Sequence, residues 1–179
     1  MAQRQETRRA RREEATTLPP AERAREIALR ILTNGPRSTA QLREGLLSRD
    51  VPEDVAGEVV ARYVEVGLLD DAALSATIAR TRYAERGVAP RVIEQELLRK
   101  GFSRSDIDAA LAPFDSEAQL AAAAELAARR WARLEGQERE VRVRRVVAHL
   151  GRKGYPPSLA FALVKDLHRA DIEKSAESG

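Results

Sequence analysis

The word Arg-Lys-Gly-aromatic occurs twice in this chain, at residues 99–102 and again 53 residues later at 152–155. The chain has only ten glycines and six Phe or Tyr residues, yet the duplication could still arise by chance. The flanking residues test whether the two copies belong to a longer repeat. Apolar residues also coincide when the two copies are aligned: Leu97 with Leu150, Phe102 with Tyr155, Ile107 with Ala160 and Leu111 with Val164. The word therefore belongs to a longer repeated unit.

A third copy lies 51 residues earlier and is the weakest of the three. It places Leu42, Leu46 and Val51 on Ile93, Leu97 and Phe102. Asp50 stands where the other copies have glycine. Three copies of this length indicate a repeat architecture in which neighbouring units share their apolar faces.

Each unit is predicted to consist of three short helices. Ser38 with Gln41, and Ser116 with Gln119, predict capping boxes. Asp70 or Asp71 is predicted to cap the first helix of the second unit, and Gly101 to end its middle helix in the left-handed conformation. The stretch VRVRRVV at 141–147 alternates like a strand, but apolar residues at i, i+3, i+4 and i+7 favour a helix.

These patterns predict an all-α protein of tandem three-helix repeats stacked into an elongated molecule, because a unit of about 50 residues is marginal alone. The aromatic residues Phe102, Trp131, Tyr155 and Phe161 are predicted to lie in cores. The predicted divisions are a mobile charged arm over 1–23, repeats over 24–69, 70–115 and 116–170, and a flexible tail over 171–179.

The composition argues against several classes of site. Cysteine is absent and there are only two histidines, which makes thiol chemistry and a zinc site improbable. We expect no cofactor and no metal. No run of about 18 apolar residues and no signal peptide is visible, so we expect a cytoplasmic protein without a membrane span.

Positive charge is concentrated in residues 129–153, which contain nine basic and three acidic residues. Such a cluster suits a polyanion such as DNA or RNA, although a solvated, salt-bridged helix face is an equally open interpretation. On a helical projection Arg142, Arg145, His149 and Arg152 share one flank. Aromatic residues make up only 4% of the chain, which favours contacts to a backbone over stacking on bases.

An ordered motif at the centre of the chain consists of Gly67, Leu69, Asp70, Asp71, Gly87, Glu96, Leu97, Gly101 and Phe102. This motif resembles that of the RecX family of recombination regulators. The resemblance rests on an ordered set of residues over 66–111, and the tandem helices extend it over about 24–168. Two departures stand out: Asp50 replaces the glycine of the first repeat, and Leu134–Gln137 looks like an insertion.

The resemblance implies a curved helical monomer that binds the RecA recombinase filament on single-stranded DNA. It further implies inhibition or modulation of the filament's ATP hydrolysis, strand exchange and growth, with no reaction of its own. Filament or DNA contacts are predicted from Arg82, Arg86, Arg99, Lys100, Arg104, Arg142, Arg145, Arg152 and Lys153.

A binder is also favoured by the residues themselves, since the chain lacks a phosphate-cradling glycine loop and the common hydrolase motifs. Two alternatives stay open. A stand-alone DNA-binding module would show salt-sensitive binding to duplex DNA without a recombinase. A purely protein-binding helical scaffold would capture its partner without any dependence on DNA.

Overall fold

The computed structural model describes residues 19–177, and these residues form helices and turns without a β-strand. The all-helical prediction is confirmed. The helices are α1 Pro20–Thr33, α2 Thr39–Leu47, α3 Glu53–Glu65, α4 Asp71–Arg80, α5 Pro90–Arg99, α6 Arg104–Leu111, α7 Ser116–Ala132, α8 Arg139–Lys153 and α9 Pro157–Glu177. A π-helical turn, Thr81–Glu85, continues α4.

The described residues divide into two compact units. Unit 1 comprises the described residues through Leu74 together with Arg99–Ser103, and unit 2 comprises Ser75–Leu98 with the described residues from Arg104 onward. Unit 1 therefore holds the first repeat and two short segments of the second. The core of unit 1 is built by α1, α2 and α3, and the largest core cluster of unit 2 by α7, α8 and α9.

The repeat is visible in the burial of its apolar positions. The middle helices place Leu42, Ile93 and Val146 at equivalent positions, and all three side chains are fully buried. The same holds one helical turn later. The further equivalent sets, all with at most 5% exposure, are Leu46, Leu97 and Leu150; Val51, Phe102 and Tyr155; and Ala56, Ile107 and Ala160. The offsets of 51 and 53 residues found in the sequence are thus the offsets of the folded repeats.

The turn after each middle helix contains one residue in the left-handed conformation. Its φ is 77° at Gly101, 93° at Gly154 and 58° at Asp50. Asp50 is the only described non-glycine residue with positive φ. The left-handed turn predicted at Gly101 is confirmed, and the first repeat keeps the same backbone without the glycine.

Glycine is needed at two of these turns because each is pressed against the preceding repeat. A Cβ on Gly101 would lie 2.4 Å from Ala40 Cβ, and one on Gly154 would lie 2.3 Å from Val92 Cγ2. Both distances are far below van der Waals contact. Asp50, in contrast, is exposed, so its side chain has room.

Hydrogen bonds to the residue before each glycine make the same contact. The carbonyl oxygen of Lys100 accepts a hydrogen bond from Ser38 Oγ, and that of Lys153 accepts one from the Ala89 amide at 2.8 Å. Ser38 and Ala89 are equivalent residues, each directly before a middle helix. The carbonyl left free at the end of one helix thus meets a donor at the start of another.

Two of the three predicted caps are correct. Ser38 and Gln41 form the capping box of α2, and Asp70 Oδ1 accepts the Ala73 amide at 2.8 Å at the start of α4. The cap predicted at Ser116 is wrong. Asp115, one residue earlier, accepts the Ala118 amide at 2.8 Å, because its extended backbone directs its carboxylate at the first turn of α7.

The ambiguous stretch 141–147 is helical, as the apolar spacing favoured. The connection before it is longer than in the second repeat. Ala79 and Ala127 are equivalent in the first helices at an offset of 48, whereas the middle helices differ by 53. The insertion suspected at Leu134–Gln137 therefore lies between the first and middle helices of repeat 3.

Three other expectations are corrected. The tail predicted from residue 171 is wrong for 171–177, because α9 continues to Glu177 and Asp171 is held by hydrogen bonds to α7 and α8. The core position predicted for Phe161 is wrong, since it is 56% exposed. The arm predicted over 1–23 overlaps α1, which begins at Pro20, and residues 1–18 lie outside the described residues.

Gly101→Ala is predicted to destabilise unit 1 more than Gly67→Ala does. Both positions have a similar φ, 77° and 72°, but a Cβ on Gly67 meets nothing within 4 Å. The left-handed backbone costs each variant roughly 1–2 kcal/mol. The close approach to Ala40 adds about 1–3 kcal/mol in Gly101→Ala only. Urea unfolding followed by circular dichroism measures the difference.

Equal losses in the two variants would mean that the turn does not press on Ala40. Gly154→Ala and Gly136→Ala offer the same comparison in unit 2, since Gly136 has φ 78° and an open surrounding.

Candidate functional site

The glutamate of the motif belongs to an internal ion pair. Arg82, in the π-helical turn, donates to both oxygens of Glu96 on α5, at 2.8 Å and 2.7 Å. The two side chains are only 29% and 21% exposed. A bidentate pair of this kind is among the stronger charge-assisted interactions. Arg82, predicted to contact filament or DNA, is therefore committed to holding two helices of the second repeat together.

The acidic pair of the motif is also structural. Asp70 caps α4, whereas Asp71 accepts hydrogen bonds from the Thr39 amide at 2.9 Å and from Thr39 Oγ1 at 2.7 Å. Asp71 thus connects the start of α4 to the start of α2 within unit 1. Leu69, beside them, is 4% exposed in the core of this unit.

The remaining motif residues shape turns and cores. Gly67 and Gly87 follow the last turns of α3 and of the π-helical segment. Leu97 and Phe102 are buried, at 0% and 5% exposure, and Gly101 makes the close turn described above. These motif residues therefore serve the fold.

Arg142, predicted to contact filament or DNA from a basic flank of α8, takes part in an internal cluster of unit 2. Its guanidinium stacks 3.8 Å from the centre of the Trp131 ring and donates to Asp171 Oδ2 at 2.9 Å. Its side chain is 15% exposed. Trp131 Nε1 donates to the same carboxylate oxygen at 2.8 Å. This cluster connects α7, α8 and α9 inside unit 2.

Two more predicted arginines are exposed but have partners of their own. Arg104 forms ion pairs with Glu94 at 2.5 Å and with Asp108 at 3.0 Å. Arg145 donates to Gln137 Oε1 at 2.9 Å. Exposed pairs of this kind contribute little stability and leave the charges accessible, though partly neutralised.

Arg99 and Lys100 belong to unit 1 and the other predicted basic residues to unit 2. Arg99 is exposed on the last turn of α5, whereas Lys100 is half-buried. Arg86 and Lys153 line an open cleft of unit 2, and Arg152 is exposed on the last turn of α8.

The basic cleft is a cavity of about 590 Å³ between the π-helical segment, α7 and α8. Five permanently charged cations line it against two carboxylates, and His149 and apolar side chains complete the wall. The charged lining residues are Arg86, Arg129, Arg130, Arg133 and Lys153, with Glu85 and Glu125. A surface of this charge attracts anions.

The pKa of His149 reflects its burial and the positive charges around the basic cleft. Burial lowers the pKa of His149, and the nearby cations Lys153, Arg130, Arg152 and Arg133 lower it further. His149 is therefore neutral at pH 7, and the local potential is positive without it. A bound anion would reduce that potential and raise the pKa of His149.

Hydrogen bonds fix parts of the wall. Lys153 Nζ donates to the carbonyl oxygen of Arg86, which joins the end of α8 to the end of the π-helical segment. Arg129 pairs with Glu125 at 3.2 Å along α7. In contrast, Arg130 Nε is buried without a hydrogen-bond partner.

Three of the lining residues were missed as site residues. Arg129, Arg130 and Arg133 belong to the basic cluster of 129–153, but the helical projection selected the flank of α8. The sequence did contain a signal for this face: residues 126, 129, 130 and 133 follow the i, i+3, i+4, i+7 spacing of a helix, with Arg133 as the C-cap of α7. That face becomes a wall of the basic cleft only through packing against α8.

Among residues 19–177, no group of three His, Asp or Glu residues is arranged to hold a metal ion. None of the helices in that range is both long and apolar enough to cross a membrane.

Asp171→Asn is predicted to lower the free energy of unfolding at neutral pH by about 1 kcal/mol. The loss is modest because the carboxylate is 39% exposed and solvent screens its interactions. The hydrogen bond from Trp131, and then Arg142, lowers the pKa of Asp171. The contribution is therefore complete above the unfolded-state pKa of about 3.9 and is lost as the pH falls through the lower folded-state value. Urea titrations between neutral and acid pH, followed by the fluorescence of the single tryptophan, measure it.

Asp166→Asn on the same helix serves as the control, because its ion pair with Arg169 is exposed on both sides. We expect a change below about 0.5 kcal/mol there. A gap between the two variants that persisted below the folded-state pKa would show that the charge of Asp171 does not matter.

Models of one protein family match the chain three times in succession. RecX, first three-helix domain, matches residues 24–62; RecX, second three-helix domain, matches 70–111; and RecX, third three-helix domain, matches 117–164. The three tandem three-helix domains predicted from the repeat are confirmed.

Whole-chain comparisons agree. The regulatory protein RecX of Streptomyces coelicolor is 38% identical over 89% of this chain and 85% of its own length. That of Thermobifida fusca is 40% identical over 80% of this chain and 78% of its own length. A crystal structure of RecX from Lactobacillus salivarius has a TM-score of 0.68, covers 83% of this chain and 97% of its own, and is only 20% identical, so it shows the fold. A crystal structure of a regulatory protein RecX has a TM-score of 0.66 at 29% identity, covering 82% of this chain and 73% of its own.

Proposed function

Because the chain belongs to the RecX family, we propose that it binds the RecA filament on single-stranded DNA and restrains it. In this proposal it inhibits or modulates the filament's ATP hydrolysis, strand exchange and growth. It acts in the cytoplasm as a monomer and catalyses no reaction of its own.

The observation that carries this proposal is the match to all three family domains in order, along a chain whose curated relatives are named regulatory proteins. The complete set matters because a regulator that follows a filament needs an extended surface built from successive repeats. The motif residues themselves serve the fold, which leaves surface residues free to make the contact.

The geometry of unit 2 supports a binding role. The basic cleft is an open, charged cavity whose walls hold arginine and lysine, the groups that neutralise acidic partners. Regulation by contact is therefore the simplest use of this surface.

Stacking on bases is a poor explanation for any DNA contact. Trp131, Phe102 and Tyr155 are at most 5% exposed, and of the large aromatics in unit 2 Phe161 is the exposed one. Proteins that hold single strands without sequence preference usually present several exposed aromatics. Contacts to DNA within the filament would then run through charge and depend on salt.

The alternative, a stand-alone DNA-binding module, is supported by the same basic cleft. It differs in one respect: its binding to DNA would not require a recombinase. The test below distinguishes the two.

Replacing Arg129, Arg130 and Arg133 by Gln is predicted to weaken inhibition of RecA's DNA-dependent ATPase. All three line the basic cleft, and loss of their charges is expected to raise the inhibitory concentration about tenfold, equivalent to roughly 1.4 kcal/mol. ATP hydrolysis by RecA of the same organism on single-stranded DNA is measured against increasing concentrations of each protein.

A variant with Arg139, Arg144 and Arg169 replaced by Gln is the control, because these arginines are exposed on unit 2, lie outside the basic cleft and carry the same total charge. It should inhibit like the unmodified protein. If the unmodified protein leaves RecA unaffected yet binds DNA in a salt-dependent manner, the stand-alone module replaces the regulator. If both variants inhibit normally, the contact surface lies outside the basic cleft.

A further inference from the structure

The position of the basic cleft recurs in every repeat. In the first helices, the fully buried pairs Ala24 and Ala28, Ser75 and Ala79, and Ala123 and Ala127 are equivalent. Three residues beyond the second member of each pair comes a residue that faces the middle helix: Ile31, Arg82 and Arg130. The residues opposite, one before the buried leucines of the middle helices, are Gly45, Glu96 and His149. Each repeat thus has one such pair of residues.

In the second repeat this position is closed by charge. Arg82 and Glu96 form the bidentate ion pair described above, at 2.8 Å and 2.7 Å. The Glu96 hydrogen bond is the largest cause of the raised pKa of Arg82. The arginine has its anion within the same repeat.

In the first repeat an apolar side chain takes the place of the arginine at this position. A Cβ added to Gly45 would lie 2.9 Å from Ile31 Cδ1, so the isoleucine packs directly over the glycine. Arg49 Nη1 lies 3.8 Å from the same point and donates to the carbonyl oxygen of Gly45 at 2.7 Å, so this charge has a partner within the repeat.

The third repeat keeps the arginine and has no carboxylate opposite. Arg130 stands where Arg82 stands, while His149 replaces Glu96. Arg130 Nε is buried without a hydrogen-bond partner. The lowered pKa of His149 agrees with this, because Arg130 is among the cations that cause it. A buried, unpaired guanidinium nitrogen is costly unless an anion completes it.

We propose that the basic cleft binds an acidic side chain, Asp or Glu, of a protein partner, and that its carboxylate takes the place at Arg130 that Glu96 takes at Arg82. This deepens the proposed function and rests on it for the partner, since it names the chemistry of the contact with the protein component of the filament.

A carboxylate fits this position better than a DNA backbone. The second repeat shows that a glutamate carboxylate fits between the two helices, with the arginine bidentate. Glu85 and Glu125 lie on the walls of the basic cleft and would repel a continuous row of phosphates. A single acidic side chain brings one charge to Arg130 and can keep clear of both glutamates.

Fluorescence anisotropy with two labelled probes of equal charge tests the proposal. One probe is a hexaglutamate peptide and the other is a thymidine oligonucleotide with six phosphates. The peptide should bind more tightly, and Arg130→Gln should weaken its binding about tenfold, as expected for a charge-assisted bidentate contact. Arg144→Gln, which removes a charge outside the basic cleft, should change it less than about twofold.

Two variants of His149 make the test sharper. His149→Glu restores the carboxylate of the second repeat and should abolish peptide binding by pairing with Arg130, whereas His149→Gln should bind like the unmodified protein. His149→Glu should also raise the melting temperature, and Arg130→Gln should cancel that increase in a double-mutant cycle. A gain that survived without Arg130 would contradict the proposed pairing.

The inference is overturned if the oligonucleotide binds more tightly than the peptide and is the probe displaced in His149→Glu, since the cleft is then a phosphate site. It is equally overturned if neither probe binds or if Arg130→Gln leaves peptide binding unchanged. These outcomes are separate from the ATPase assay. If the protein inhibits RecA but does not bind the peptide, this inference fails and the proposed function stands. If it binds the peptide but does not inhibit RecA, the proposed function fails and binding of carboxylates by the cleft stands.

Discussion

The close turn at the end of each middle helix is the contact on which the repeat structure depends. At Gly101 and Gly154 the backbone is left-handed, and no room for a Cβ remains against Ala40 and Val92. The carbonyl before each glycine accepts a hydrogen bond from the residue that precedes the middle helix of the preceding repeat. One short word in the sequence therefore ends a helix, reverses the chain and seats one repeat on another. A three-helix repeat of this size buries too little surface to be stable alone. The contact at the turn therefore also stabilises each repeat against its neighbour.

Several arginines that were predicted to bind a partner form ion pairs within the protein. Arg82 and Arg142, which the sequence presented as candidates for binding, hold helices together through Glu96 and Asp171. Arg104 has two acidic neighbours on the surface. The basic cleft stands out because its arginines outnumber the carboxylates beside them. The useful quantity is thus the charge left after internal pairing, and a count along the sequence overstates it.

The three repeats show how one position changes its use while its surroundings stay constant. An isoleucine over a glycine, an arginine with a glutamate, and an arginine with a histidine occupy the same place between first and middle helices. The first two combinations are complete in themselves. The third places a partly buried guanidinium in an open cleft, which turns a structural position into one able to receive an anion.

The sequence alone determined the helical class, the repeat and its register, the left-handed turn at Gly101 and most caps, because these follow from periodicity and from local backbone chemistry that acts within a few residues. It did not determine which arginines remain available. The partners of Arg82 and Arg142 lie 14 and 29 residues away, and those of the basic cleft come from three separate helical segments. Local pattern also misjudged Asp115, Phe161 and the helical continuation to Glu177, where a neighbouring backbone or helix decides the outcome. Which charges meet, and which are left for a partner, is set only when the helices pack.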